Sequence, residues 1–158
     1  NENNDPALAA LTRRILHDID PKCLAVYPEC SPFYSKLADY LGVNPYFLLL
    51  APGSDGVIRA VFETFINPGD IVIHTQPSYA MYAVYSRMFG ATAVTLEYQQ
   101  NDQGPRLSME TVIDNIRKIH PKLICLPNPD SPTGTFFSPG ATPGNYWSSR
   151  RCRCFDLD

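Results

Sequence analysis

Apolar residues recur every three or four positions in several segments of the chain, which is the spacing of one face of an α-helix. The first segment runs from Pro6 to His17, with Asp5 placed to cap it and a proline in its first turn. A short helix follows from Phe33 and ends at Gly42, since glycine commonly terminates helices. Further helices are expected over residues 54–66, 79–89 and 108–119, the last capped by Ser108.

Short apolar runs alternate with these helices and predict strands at residues 47–50, 71–74, 93–96 and 123–126. The run from Ile71 to His74 would be buried on both faces if its neighbours are parallel. Asn101 to Pro105 is expected to be a polar turn. Regular alternation of strand and helix is typical of a mostly parallel sheet covered by helices. The sequence therefore predicts an α/β fold with three layers, αβα.

Composition narrows the classes of partner. The 158 residues suit one domain, and 44% hydrophobic with 18% charged residues is ordinary for a soluble globular protein. A net charge of -3 and the lack of a Lys/Arg-rich run argue against a nucleic acid partner. The apolar stretches are far shorter than the roughly 20 residues that span a bilayer, so no membrane association is expected. The polar start from Asn1 to Asp5 does not resemble a secretory signal, and we expect a cytoplasmic protein.

Cysteine spacing gives no metal motif. The chain has five cysteines, and one residue separates Cys152 from Cys154, unlike the ligand pairs of zinc or thioredoxin-like motifs. Cys125 lies in an apolar run, where a buried core thiol is expected. We therefore predict no metal site.

Residues that follow the predicted strands are the candidates for ligand binding, because sites in open α/β sheets lie outside the carboxyl ends of the strands. Gly53, Ser54 and Asp55 follow the first predicted strand and open a helix. Glycine lets the backbone approach a ligand, and a helix start offers free N–H groups. These residues predict a phosphate cradle, with simple helix capping by Ser54 or Asp55 as the alternative.

Two further loops follow later strands. Tyr79 comes after the second strand, where its ring could stack on a flat heterocycle or belong to the core. The loop from Asn128 to Thr135 follows the fourth strand, and its two prolines and one glycine fix the backbone around short polar side chains.

These loops, in this order, resemble the fold-type-I aminotransferases that use pyridoxal phosphate. The residues that carry the resemblance are Gly53-Ser54-Asp55, Pro77-Ser78-Tyr79 and the loop Asn128–Gly134. Within that superfamily the chain is most similar to the histidinol-phosphate aminotransferase group, over residues 1 to about 139. The fold expected is then the large domain of that group, in incomplete form.

The resemblance implies a cofactor, pyridoxal 5′-phosphate, and transfer of an amino group from an amino acid or amino-alcohol phosphate to a 2-oxo acid. The segment 53–55 would hold the phosphate, and Tyr79 would stack on the pyridine ring. The ring hydroxyl is usually bonded by an asparagine directly before Pro-Thr-Gly. Here Ser131 stands at that position, and Asn128 is the nearest asparagine. Full-length relatives are homodimers with sites at the interface, so a homodimer is implied.

Three groups that the family needs lie beyond the part of the pattern that this chain matches. They are an aspartate against the pyridine nitrogen, a lysine that forms the Schiff base and an arginine for the substrate carboxylate. The chain's lysines fall in segments that match other parts of the family pattern: Lys22, Lys36, Lys118 and Lys122. We therefore assign no catalytic residue and expect the chain to be inactive by itself.

Residues 140–158 do not fit the family pattern, because Pro143 and Gly144 interrupt any helix there. The codons permitted from Gly140 onward, read one base later, can encode AQLREIIGAAADAGVLI, an amphipathic helix followed by an apolar strand. Our hypothesis is that a frameshift scrambled this tail; genuine divergence is the alternative. The predicted organisation is an arm and helix (1–30), a partial cofactor-binding large domain (31–139) and the aberrant tail (140–158).

Other interpretations stay open at this point. A pyridoxal-phosphate decarboxylase of the same fold would share these motifs. The chain could also be a non-catalytic fragment with no function. A nucleotide-binding α/β module is disfavoured, since neither the Walker loop nor the G-x-G-x-x-G pattern occurs.

Overall fold

The computed structural model describes residues 5–102 and 104–137, and the chain divides into two compact units between Leu49 and Leu50. The predictions made for the first four residues, and for the tail 140–158 with its proposed frameshift, lie outside the described residues.

The first unit is helical. Its helices are α1 (Pro6–Asp18), α2 (Lys22–Ala25) and α3 (Ser31–Leu41). The cap of α1 is as predicted, because Asp5 Oδ1 accepts from the backbone N–H of Ala7 at 2.9 Å. Helix α3 ends at Gly42, whose φ of +67° lies in the left-handed region that favours glycine.

The strand predicted at residues 47–50 is wrong. Pro45–Phe47 form a short 3-10 turn, and the Asn44 side chain accepts from Tyr46 N at 3.0 Å to cap it. Leu48 to Leu50 belong to none of the strands in the described part of the chain. Four apolar residues in a row are compatible with a strand, but only a neighbouring strand can satisfy its backbone groups.

The second unit carries the sheet. Its elements are α4 (Gly53–Phe65), β1 (Ile71–Gln76), α5 (Met81–Met88), β2 (Thr92–Glu97), β3 (Gln99–Asn101), β4 (Gly104–Arg106), α6 (Met109–Ile119) and β5 (Leu123–Cys125). Strands β3 and β4 pair as an antiparallel hairpin that was not predicted, and three residues of the predicted polar turn, Asn101, Gly104 and Pro105, lie in these strands. Ser108 caps α6 as expected, accepting from Thr111 N at 3.1 Å.

Strands β2, β1 and β5 lie side by side in that order, and both pairings are parallel. The central strand β1 is buried on both faces, as predicted. Val72 packs in one cluster with residues of α4 and α5, including Phe62 and Tyr85. Ile73, pointing the other way, packs with Val112 of α6. Helices therefore cover both faces of a parallel sheet, which confirms the three-layer α/β prediction.

The parallel strands place all their exits at one edge of this sheet. Residues 77–80 leave β1, Tyr98 leaves β2, and the loop from Leu126 leaves β5. Helix α4 runs into β1 through a short turn, so its first turn also lies at this edge. The candidate site is built from these segments.

Candidate functional site

Helix α4 begins at Gly53, where φ is +73°. A side chain at this position would meet nothing within 4 Å, so the backbone conformation, not space, favours glycine. The N-cap is Pro52, and it makes no side-chain capping bond. Ser54 and Asp55 thus lie inside the first turn, and the N–H groups of the helix start are left for another acceptor. Ser54 is exposed there.

Asp55 joins this helix start to the segment after β1. Its two carboxylate oxygens accept from Tyr79 OH at 3.1 Å and from Tyr85 OH at 2.9 Å. The pKa of each tyrosine is raised, first by burial and then by the hydrogen bond to Asp55, since a phenolate would face the carboxylate. Both hydroxyls therefore stay protonated as donors.

Tyr79 was expected to begin a helix, but α5 starts two residues later, at Met81. Tyr79 therefore lies in the connecting segment, 39% exposed. Its ring meets the ring of Tyr82 edge-on, with centroids 5.7 Å apart and planes at 84°. A tyrosine held at its hydroxyl and at one edge, with ring surface still accessible, is suited to stacking on a flat ligand.

Asp130 forms a second, buried carboxylate centre that the sequence reading missed. It is 2% exposed and accepts from Thr75 Oγ1 at 2.5 Å, Ser78 Oγ at 2.7 Å and Tyr98 OH at 2.5 Å. Burial and the contact with Asp130 raise the pKa of Tyr98 to about 12. A buried carboxylate requires such donors, because an unpaired one would be strongly destabilising.

The loop that follows β5 is held by its own hydrogen bonds. Asp130 N donates to Thr135 O and Gly134 N donates to Asp130 O, each at 2.8 Å. The Asn128 side chain accepts from Phe137 N at 3.0 Å and donates to Phe137 O at 3.2 Å. Asn128 thus braces the loop, whereas the Ser131 side chain is exposed.

Several predicted site residues are joined by a continuous path of contacts. Asp55 contacts Tyr79, the adjacent Ser78 contacts Asp130, and Ser131 follows Asp130 directly. Asn128 is bonded to Phe137 and lies outside that path. The residues missed from sequence are the partners that hold these segments together: Thr75, Ser78, Tyr85, Tyr98 and Asp130. Ser78 and Asp130 lie in segments that carry the resemblance but had no role assigned to them. The signal of the other three was position alone, in or just after a strand or on the next helix.

Two buried side chains on the strands themselves, His74 of β1 and Cys125 of β5, carry polar or ionisable groups. His74 is 3% exposed, and its Nε2 has no hydrogen-bond partner within residues 5–102 and 104–137. Cys125 is buried, which confirms the predicted core thiol, and this burial raises its pKa to about 12.

The described ranges contain no group of three or more His, Cys, Asp or Glu side chains that could hold a metal ion. None of the helices in those ranges is long and apolar enough to cross a membrane.

The parallel sheet and its two helical layers define a three-layer α/β domain, with polar loops gathered at the carboxyl edge of the sheet. Solved structures share this fold. Histidinol-phosphate aminotransferase of Sinorhizobium meliloti, in complex with pyridoxal-5′-phosphate, matches 84% of this chain and 34% of its own length, with a TM-score of 0.66 and 21% identity. Cystalysin of Treponema denticola, which contains the same cofactor, matches 88% of this chain and 36% of its own, with a TM-score of 0.67 and 17% identity.

Sequence comparison places the family. Residues 4–141 match aminotransferase class I and II, and the chain belongs to that family. The histidinol-phosphate aminotransferase of Thermoanaerobacter sp. (strain X514) is 37% identical over 112 residues, which cover 70% of this chain. The matched part is 31% of that relative's length, so the chain corresponds to about a third of the enzymes it resembles.

Proposed function

We propose that this chain forms part of a pyridoxal-phosphate-dependent aminotransferase that acts as a homodimer. The observation that carries the proposal is the contact path from Asp55 through Tyr79 and Ser78 to the Asp130–Ser131 loop. It brings three segments that resemble cofactor-binding segments of the family to one edge of the sheet. Family membership supports the reaction class, an amino-group transfer between an amino donor and a 2-oxo acid.

The residues at this edge fit the cofactor. The start of α4 offers uncapped N–H donors and the exposed hydroxyl of Ser54, a combination that suits a phosphate group. Tyr79 supplies an accessible aromatic surface for the pyridine ring. Ser131, exposed on the loop after β5, would bond the ring hydroxyl, while Asn128 keeps that loop in shape.

When bound, pyridoxal phosphate supplies a conjugated ring that withdraws electrons from the substrate's α-carbon. The part of this chain described above binds and orients. The helix start fixes the phosphate, and Tyr79 sets the plane of the ring. Asp55 limits the rotation of Tyr79 by accepting its hydroxyl hydrogen at 3.1 Å.

The proposed amino donor is an amino acid or an amino-alcohol phosphate. Support comes from the sequence relatives, because several of them are named histidinol-phosphate aminotransferases.

Binding of pyridoxamine 5′-phosphate tests the proposal, because this amine form cannot react with surface lysines. Its fluorescence is titrated with the 158-residue chain. We expect saturable binding that phosphate-free pyridoxamine does not reproduce. Tyr79→Ala should weaken it about three- to tenfold through loss of stacking, whereas Tyr79→Phe, which keeps the ring, should weaken it less. Equal binding of pyridoxamine, or no binding to the unchanged chain, would overturn the proposal.

A further inference from the structure

The Asp130 carboxylate accepts hydrogen bonds from the hydroxyl groups of three residues in different segments of the second unit. Thr75 is the next-to-last residue of β1, Ser78 lies in the segment that leads to α5, and Tyr98 follows β2 directly. The closest of these in sequence is 32 residues away. These contacts are not local turn bonds, because each joins a different segment of the carboxyl edge to one side chain.

The same residue also closes its own loop through the backbone. Its N–H donates to Thr135 O, and its carbonyl accepts from Gly134 N, each at 2.8 Å. Ser131 stands between these closing bonds. Side chain and backbone of Asp130 thus hold two segments at once: the one with Ser78 and Tyr79, and the one with Ser131.

Burial makes this arrangement specific. Asp130 is 2% exposed, Thr75 0% and Tyr98 8%, so water cannot readily replace a lost partner. Ser78 is the exception, being only half-buried. Loss of its 2.7 Å bond to Asp130 would therefore detach the Tyr79 segment while Thr75 and Tyr98 stay bonded to the same carboxylate.

We propose that Asp130 is a positioning residue that sets the spacing between Tyr79 and Ser131. It does so by joining their segments with a single buried carboxylate. This inference deepens the proposed function and rests on it, since the two side chains are those assigned to the cofactor ring. The donors to the Asp130 carboxylate are Thr75, Ser78 and Tyr98, so Asp130 acts on Tyr79 through Ser78 and on Ser131 through its own loop.

The first test needs no ligand. Amide hydrogen exchange is measured on the 158-residue chain and on Asp130→Asn, which keeps the size of the side chain but removes one acceptor oxygen. The reporters are Tyr82 N–H, bonded to Tyr79 O at 3.2 Å, and Gly134 N–H. We expect both to exchange at least tenfold faster in Asp130→Asn. Ser78→Ala, the milder variant, should accelerate Tyr82 alone. Unchanged exchange at Tyr82 in both variants would show that Asp130 does not hold that segment.

The second test separates positioning from stability. Val112→Ala serves as the matched control, because Val112 is 1% exposed in the core under α6 and its apolar side chain cannot hydrogen-bond to Asp130. Pyridoxamine 5′-phosphate is titrated into each variant at a urea concentration where Asp130→Asn and Val112→Ala are folded to the same extent. We expect Asp130→Asn to bind at least tenfold more weakly and Val112→Ala within twofold of the unchanged chain.

Equal affinity of Asp130→Asn and the unchanged chain would reject the positioning role and leave the proposed function standing. Failure of the unchanged chain to bind would instead reject the proposed function. In that case the exchange measurement still decides whether Asp130 joins the two segments.

Discussion

The second unit has two carboxylates that accept tyrosine hydroxyls at the same edge of the sheet, and their surroundings differ. Asp55 lies in the first turn of α4, half-buried, and takes both of its donors from tyrosines at 3.1 and 2.9 Å. Asp130 is buried in the loop after β5 and takes one donor each from a threonine, a serine and a tyrosine. Beside Asp55, the backbone N–H groups at the start of α4 remain available to a ligand. Around Asp130, the polar groups are bonded to one another.

This difference indicates a division of labour. Polar groups whose hydrogen bonds are all made inside a buried network hold the surrounding segments in place, because removal of one group leaves its partners without a hydrogen bond. Groups at an open helix start keep their hydrogen-bonding capacity for a ligand. Stability should therefore depend more on Asp130 than on Asp55, whereas direct contact with a ligand falls to the groups beside Asp55.

Replacement of Asp130 should have the largest effect on folding. Asp130→Ala leaves three hydroxyls without their acceptor, two of them on residues at most 8% exposed. We expect the free energy of unfolding to fall by about 3 kcal/mol, measured by urea denaturation followed with circular dichroism. Asp55→Ala is the comparison and should lose about 1 kcal/mol, because Tyr79, at 39% exposure, can turn its hydroxyl to water and only the buried Tyr85 loses its acceptor. Equal losses would contradict the proposed division.

Alkaline pH should weaken the buried centre through Tyr98. Its pKa is raised to about 12 in the folded chain, whereas an unfolded tyrosine ionises near 10. Between these values the unfolded chain binds fewer protons, so this contribution is present below about pH 10 and lost as the pH rises towards 12. Tyr82 and Cys125, with pKa values also raised to about 12, add to the same fall.

The variant Tyr98→Phe isolates the contribution of Tyr98 to this loss of stability at alkaline pH. We expect a loss of about 1 kcal/mol at neutral pH and a shallower decline of the urea midpoint between pH 9 and 11.5. Tyr27→Phe in the first unit, where the side chain is fully exposed, should leave the midpoint unchanged. A Tyr98→Phe curve parallel to that of the unchanged chain would show that the bond to Asp130 does not stabilise the neutral phenol.

Much of the fold could be predicted because its signals are local. The cap at Ser108, the glycine stop at Gly42 and the apolar run of β1 each involve residues a few positions apart. The predicted strand at 47–50 failed because a strand depends on a partner that local pattern does not reveal. The hairpin of β3 and β4 was missed because strands of three residues are too short to show alternation.

The candidate site divides in the same way. Gly53, Ser54, Asp55 and Tyr79 were found because they follow apolar runs and resemble family motifs. Asp130 was passed over, although it lies within the quoted loop, because its partners are 32 to 55 residues away in sequence. Only the folded sheet brings strand ends that far apart in the chain to one place. The roles assigned to Ser131 and Asn128 stay predictions.

A smaller effect is expected where one of two donors to Asp55 is removed. Tyr85→Phe leaves Tyr79 OH bonded to the same carboxylate, so the shift of the urea midpoint should be less than that of Tyr98→Phe. Affinity for pyridoxamine 5′-phosphate should change by less than threefold, because Tyr85 is buried in α5, at 3% exposure, and offers no accessible ring surface to a ligand. A loss of affinity equal to that of Tyr79→Ala would show instead that Tyr85 shapes the binding edge directly.

The smallest expected effect is the absence of a specific covalent adduct between pyridoxal phosphate and any lysine of the chain. Every lysine of the chain is exposed, and the two in the second unit lie away from the carboxyl edge of the sheet. Lys122 N donates to Ile71 O at 2.8 Å, beside the first residue of β1, and Lys118 lies in the last turn of α6 before it. Both therefore stand at the amino ends of the parallel strands, opposite Asp55 and Asp130. When the chain is treated with pyridoxal phosphate and then borohydride, we expect peptide mapping to show weak labelling spread over several lysines. A stoichiometric covalent adduct on a single lysine would contradict the prediction that this chain is inactive by itself.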